Sequence, residues 1–202
     1  FALDANTTGQ YNTAVGYNAM TQSTTAQRCV AVGREAGESL TTGSYNTLLG
    51  YTAGHEITTG YRNVAVGEES AYFVTTGSLN VAVGNQTMHL LTTGTENTAL
   101  GFRACYGGTA GARNVGIGCS ALKAVSTGNN NVAVGYHAMI ALTTGNTNTA
   151  VGKNALMAIT TGTFCTALGT GALAANTGSY NVAVGADSLD ANTTGQFNTS
   201  CG

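Results

Sequence analysis

A glycine returns every seventeen residues along this chain, at Gly16, Gly33, Gly50, Gly67, Gly84, Gly101, Gly118, Gly135, Gly152 and Gly169, then after one step of sixteen at Gly185, and finally at Gly202. A fixed period of this length marks a stacked-repeat protein, in which each repeat is one structural unit unable to bury its apolar side chains without neighbours. The 202 residues are therefore expected to form a single array over 1–202, not the one or two globular domains that length alone would suggest.

The columns of the repeat carry the rest of the reading. Before each anchor glycine stands Val, Leu or Ile, with Cys201 as the exception, and two before it a small residue, Ala in nine repeats. Three before it is Val or Thr, and four before it Asn, from Asn12 to Asn198, broken only by Cys29 and Cys165. This is the two-residue alternation of a strand. Stacked in parallel register at about 4.8 Å, such strands would make the Val column a buried stripe and the Asn column a ladder of side-chain amides. The small residue implies a close neighbour, either the far wall of the same coil or a second chain. A narrow coil favours the second, which makes Ala14, Ala31, Ala65, Ala82, Ala99, Ala133, Ala150, Ala167 and Ala183 a candidate oligomer interface that cyclic symmetry would complete.

After the anchor, apolar residues fall three, four and seven positions on, as in Ala155, Leu156 and Ile159 or Ala138, Met139 and Leu142. The spacing suits a helical turn, and a second short strand with a bend fits as well; a strand is the preferred reading. Thr-Thr-Gly closes each repeat, with its glycine expected to supply a positive φ. The sixteen-residue step removes one residue from this arm and should leave the strand register intact. The fold class expected is all-β, a parallel β-solenoid of about twelve repeats.

Composition agrees. With 29 glycines, no proline, no tryptophan and sixteen charged residues (7 + 9), the chain is too poor in charge for disorder and too rich in Gly for a helical bundle. A net charge of −2 with scattered acids and bases offers no footprint for nucleic acid. No apolar run approaches the roughly twenty residues of a spanning helix, so membrane insertion of this segment is not expected. The opening FALDANTTGQYNTAVG nearly repeats in the closing SLDANTTGQFNTSCG, without the distinct caps that solenoids need, which suggests a section of a longer fibre protein.

Motifs for chemistry are missing. The five cysteines, Cys29, Cys105, Cys119, Cys165 and Cys201, are odd in number and occupy four columns, so they read as small hydrophobes, not disulfide partners. His55 and His89 share a column two coils apart and His137 lies elsewhere, which argues against a histidine metal site. Glu35, Glu38, Glu68 and Glu69 read as solvated surface. Neither a phosphate loop nor a nucleophile elbow is present. No catalytic residue, metal or cofactor is expected, and the chain is read as a non-enzyme.

Five before the anchor, Tyr11, Arg28, Tyr45 and Arg62 alternate, followed later by Phe164, Tyr180 and Phe197. Guanidinium groups stacked on ring faces are worth roughly 0.5 to 1 kcal/mol per exposed contact. Structural stacking is one reading of this column; a glycan-contacting strip is the other. Tyr17, Tyr51, Phe102 and Tyr136, one after the anchor, form a second candidate strip.

Asn63 to Ser70 (NVAVGEES) and Asn181 to Ser188 (NVAVGADS) resemble the head repeat of trimeric autotransporter adhesins. The longer unit, clearest in TTGNTNTAVGKNAL from Thr143 to Leu156, resembles repeats of bacteriophage tail-fibre proteins. The resemblance covers the whole chain and implies a trimeric left-handed parallel β-roll fibre, exposed on a virion or cell surface and used for attachment. The seventeen-residue period, and Ala or Thr where the adhesins often have Ser, are departures, and no binding residue is carried over. The expectation is thus a non-catalytic, homotrimeric tail-fibre-like segment, extracellular or on a virion, with a cell-surface glycan as possible partner. The alternatives are a bacterial adhesin or extracellular filament subunit and, less favoured, ice binding through the Thr columns.

Overall fold

A computed structural model describes residues 1–202. It is an all-β parallel solenoid. Twelve three-residue strands, from β1 (Thr13–Val15) to β12 (Thr199–Cys201), form one sheet whose spatial order is their sequence order. Each residue pairs with its counterpart in the next coil, Thr13 with Val30, Ala14 with Ala31 and Val15 with Val32. Across the short repeat Thr166 pairs with Val182 and Ala167 with Ala183, so the lost residue comes out of the arm and the register continues.

The alternation along each strand is as the sequence predicts, but its direction is reversed. Ala31, Ala65, Ala82, Ala99, Ala133, Ala150, Ala167 and Ala183 have no exposed surface in the single chain, and Ala14, in the first full coil, packs partly against the same core. The Ala column therefore touches the far wall of its own coil and is not an interface with a second chain. The Val and Thr columns look outward instead, with Val15 at 57% and Leu100 at 47% exposure. Parity explains the reversal. Asn and Ala lie two residues apart and must share a face; the Asn amides hydrogen-bond between coils on the inside, so Ala goes in with them and the β-branched residues go out.

The opposite wall comes from the arm. Ala138, Met139 and Leu142, and Ala155, Leu156 and Ile159, are all buried, as their spacing predicts, yet the arm is neither helix nor strand. It is a run of turns in which left-handed residues recur, for example His137 (φ 57), Met139 (φ 48) and, before the next strand, Thr147 (φ 58). A side chain in that region costs roughly 1–2 kcal/mol. The conformation turns each N–H along the solenoid axis toward an adjoining coil: Met139 N–H donates to Ala155 O at 3.0 Å, His137 N–H to Cys119 O at 3.1 Å and Thr147 N–H to Asn129 O at 3.0 Å. Only 22 of the 134 backbone–backbone hydrogen bonds lie within the strands, and bonds such as these carry the pairing between coils on through the arm.

The two glycine columns are required for different reasons. The anchor column has φ near 130°, as at Gly33 (φ 141) and Gly67 (φ 125), a region closed to side chains. The glycine of Thr-Thr-Gly has no positive φ; at Gly43 a Cβ would collide with the carbonyl oxygen of Gly60 in the next coil. Close stacking, and not the turn conformation expected from the sequence, selects it.

Core volume is balanced coil by coil. Leu48 is the one large residue in the Ala column, and it fits because Gly37 and Gly54 replace the Met or Leu of the facing column; a Cβ on either would lie 2.6 Å from a Leu48 methyl. The same exchange runs the other way where Gly116 makes room for Cys105 Sγ.

Candidate functional site

Inside the coil the polar groups form a closed system. Asn80, Asn97, Asn114, Asn131 and Asn148 are buried in one column. Asn97 Oδ1 accepts from the Asn114 N–H at 2.9 Å and from Asn114 Nδ2 at 3.2 Å, while Asn97 Nδ2 donates to Asn80 Oδ1 at 3.1 Å and to Gly111 O at 2.8 Å. Each amide thus uses both donors and its acceptor, which is what makes an interior polar column tolerable. At the two breaks a thiol substitutes: Cys29 Sγ reaches Gly43 O at 3.4 Å and Cys165 Sγ reaches Gly178 O at 3.3 Å. Beside Cys165 the shortened arm brings in Asn176, whose Oδ1 accepts from Asn181 Nδ2 at 3.0 Å. The amide ladder read from the sequence is structural, as is the first threonine of Thr-Thr-Gly: Thr41 Oγ1 donates to Thr58 O at 3.0 Å and Thr143 Oγ1 to Thr160 O at 3.1 Å. Only the second threonine, as in Thr42, Thr59, Thr76 and Thr93, stands exposed in every coil that carries it.

Cys29, Cys105 and Cys165 are buried and free; Cys119 is half-buried and Cys201 exposed, so the reading of all five as buried hydrophobes holds for three. Burial pushes the Cys105 thiol up to about 12 and raises those of Cys29 and Cys165 in the same direction. None of the three buried thiols is a reactive nucleophile at neutral pH. The interior holds one void of about 10 Å³, beside Gly108, Leu91 and Val125, which at most fits a single water.

The exterior carries the candidate contact residues. Arg28 lies over the rings of Tyr11 and Tyr45 at 5.5 and 5.4 Å, and Arg62 over Tyr45 at 5.6 Å. Arg28 Nη1 also donates to the Tyr45 hydroxyl at 2.6 Å. Phe164, Tyr180 and Phe197 stack at 5.2 and 4.8 Å further along the same column. In the second strip Arg34 sits between Tyr17 and Tyr51, 5.7 Å from each; Tyr136 is separate and stacks on His137 at 3.7 Å. The strips flank the exposed Val and Thr columns in sequence and leave ring edges open to solvent.

A third assembly was not legible residue by residue. Glu38 and His55 occupy one outward column in adjoining coils, and Glu38 Oε2 meets His55 Nε2 at 3.1 Å; His55 Nδ1 meets Glu56 Oε1 at 2.9 Å. Glu35 takes two hydrogen bonds from Arg34, at 3.1 and 3.0 Å. Glu35 and Glu38 are thus paired side chains, where the sequence reads as solvated surface. Farther along the column His55, Tyr72, His89 and Tyr106 stack at 4.8, 5.3 and 5.3 Å, and Glu69 lies 3.7 Å from His89 Nδ1. Burial, then the charges of Glu56, Glu69 and Glu35, raise the pKa of Tyr72. The signal was present: seventeen residues separate Glu38 from His55. It is visible only when outward columns are read for pairs of different residue types.

No helix is long and apolar enough to cross a membrane. No family model, curated protein or solved structure matches the chain.

Proposed function

We propose that this chain is a non-catalytic structural fibre segment that serves attachment to a cell surface, in the manner of a phage tail fibre, and that it assembles as a homotrimer. The observation that carries the reading is the unbroken register of all twelve strands along one axis, which makes a rod about 55 Å long. A rod whose interior repeats and whose exterior varies is suited to span distance and display side chains. The tail-fibre resemblance of Thr143 to Leu156 points the same way. With the Ala column spent inside the coil, the trimer contact moves to the outward Val and Thr columns. Two columns along such a rod give roughly 550 Å² per chain, and the flanking aromatic strips roughly double that; shared between two neighbours, this is roughly 1,100 Å² in total per interface, just above the roughly 1,000 Å² that a specific interface needs.

The test is the mass of the protein in solution by light scattering, together with binding to a glycan array. Three times the chain mass of 20.3 kDa is expected, and Val83→Lys, which places a charge on the outward face, is expected to give monomer. A stable wild-type monomer at micromolar concentration overturns the trimer. A trimer that binds no glycan keeps the fibre but removes attachment from this segment, leaving a spacer.

A further inference from the structure

We infer that Glu35, Glu38 and His55 form a binding site for a first-row divalent metal ion such as Zn2+. One donor atom from each residue lies within 4.8 Å of the other two, and the set of one imidazole and two carboxylates suits such ions. His55 is arranged as a metal-bound histidine is. Its Nδ1 is engaged by the Glu56 carboxylate at 2.9 Å, the outer contact that fixes the tautomer and turns Nε2 outward as the ligand atom. With the ring hydrogen on Nδ1, the Nε2 lone pair faces Glu38 Oε2 at 3.1 Å, electron pair against electron pair. A proton on Nε2 or a cation bound by both groups removes that opposition, and the Glu35 carboxylate, which keeps one oxygen free of Arg34, brings a third ligand within reach of the cation.

The groups are held on rigid parts of the coil. His55 stacks on Tyr72 with an interplanar angle of 3°, which fixes its ring plane, and stacking of adjoining coils sets the distance between the backbones that carry Glu38 and His55. Ligand atoms around tetrahedral zinc stand roughly 3.4 Å apart, so the widest pair must close by about 1.4 Å from the 4.8 Å limit. Glu35 and Glu38 side chains are 17% and 23% exposed, enough freedom for a carboxylate to swing. Three protein ligands leave a coordination position for water, so the site is an open one. In a fibre it would bind exchangeable metal and clamp two adjoining coils together.

Calorimetric titration of Zn2+ into the Cys119→Ser/Cys201→Ser protein, which lacks the two accessible thiols, tests the inference. One saturable site with a dissociation constant in the micromolar range is expected, with a Zn2+-dependent rise in melting temperature. His55→Gln and Glu38→Gln should each weaken it at least tenfold and abolish the thermal shift, and Glu56→Gln should weaken it by about tenfold through the ring orientation. His89→Gln, in the same column but outside the donor set, should bind as the parent does. Far-UV circular dichroism checks that each variant is folded. Absence of saturable binding up to millimolar Zn2+, or a folded His55→Gln protein with parental affinity, overturns the site.

Discussion

Replacing Asn97 tests whether the buried amide column holds neighbouring coils together. Asn97→Ala removes four hydrogen bonds, but the groups stranded matter more than the bonds lost. The Asn114 N–H and the Gly111 carbonyl have Asn97 as their side-chain partner, whereas Asn80 Oδ1 keeps the Asn97 N–H at 3.0 Å and Asn114 Nδ2 keeps Gly128 O at 2.8 Å. Each buried group left unpaired costs roughly 1–3 kcal/mol, so the expected loss is about 2–6 kcal/mol. Asn97→Cys should be milder, about 1–2 kcal/mol, because the thiols at Cys29 and Cys165 already occupy this column and reach the same glycine carbonyl. Asn97→Asp should be worst at neutral pH: it accepts from Asn114 but turns an acceptor toward both Gly111 O and Asn80 Oδ1. A buried carboxylate in that position has a raised pKa, so its deficit is smallest below about pH 4, the unfolded value, and grows as pH rises. Because repeat arrays need not unfold in two states, the assay of choice is amide hydrogen exchange, read at Asn114. Its protection should fall at least about thirtyfold in Asn97→Ala, with every 1.4 kcal/mol counting tenfold. Unchanged Asn114 exchange, or an Asn97→Cys protein as damaged as Asn97→Ala, refutes the reasoning.

Leu48→Ala should cost about 3 kcal/mol by leaving a cavity, and Gly37→Met alone should also destabilise by clashing with the Leu48 methyl 2.6 Å from its Cβ position. Met is already accommodated in that column at Met20 and Met139, so the double variant should recover, with a coupling above about 2 kcal/mol in chemical denaturation; additive losses refute the facing-wall assignment. Thr147→Gly should stabilise the protein by about 0.5–1 kcal/mol, since an exposed β-branched residue at φ 58 gives up more strain than glycine adds in entropy; a loss of stability in thermal melts counts against the left-handed arm. Cys105 makes the protein less stable in base. Its folded pKa is raised to about 12 from 9.0, so its contribution is whole below pH 9 and falls by up to about 1.4 kcal/mol per pH unit above it. Cys105→Ala should show a shallower decline in stability between pH 9 and 11 than wild type, and an equal decline refutes the burial of the thiol.

The period and the strand alternation were legible because both are set by column identity, which twelve repeats state again and again. Which face went inside was not, because a lone Val-Ala-Val segment reads most simply with the larger residue buried. Only the Asn two residues away decides otherwise, since its amide finds complete pairing solely between coils. The arm was illegible for a different reason. Left-handed φ is normally announced by Gly or Asn, but at Met139, Leu156 and Phe164 ordinary residues are forced into it by hydrogen bonds to adjoining coils. The aromatic and arginine strips were legible as stacks because each sits in one column. The Glu38–His55 pair escaped because its two residue types differ, and a search for repeated types passes over it.

The separation between a fixed interior and a free exterior gives the outward columns their chemical capacity. Along the column of Glu38 the residues run His55, Tyr72, His89, Tyr106, Lys123, Ile140 and Met157, while the Asn column inside the coil scarcely changes. A side chain in such a column contributes little to core packing and has an assured neighbour about 4.8 Å away, so any two residue types placed seventeen apart are brought into contact whatever coil carries them. Glu38, His55 and Glu56 fall in two adjoining coils, whereas the coils around Ala158, Ala174 and Ala175 carry alanine in the equivalent outward positions, before Asp190 returns an acid to the column of Glu38. The register of the strands is the same in both regions. Surface chemistry on this rod is therefore set locally, coil by coil, and a metal, aromatic or apolar patch can be gained or lost in one coil without disturbing the stacking that carries it.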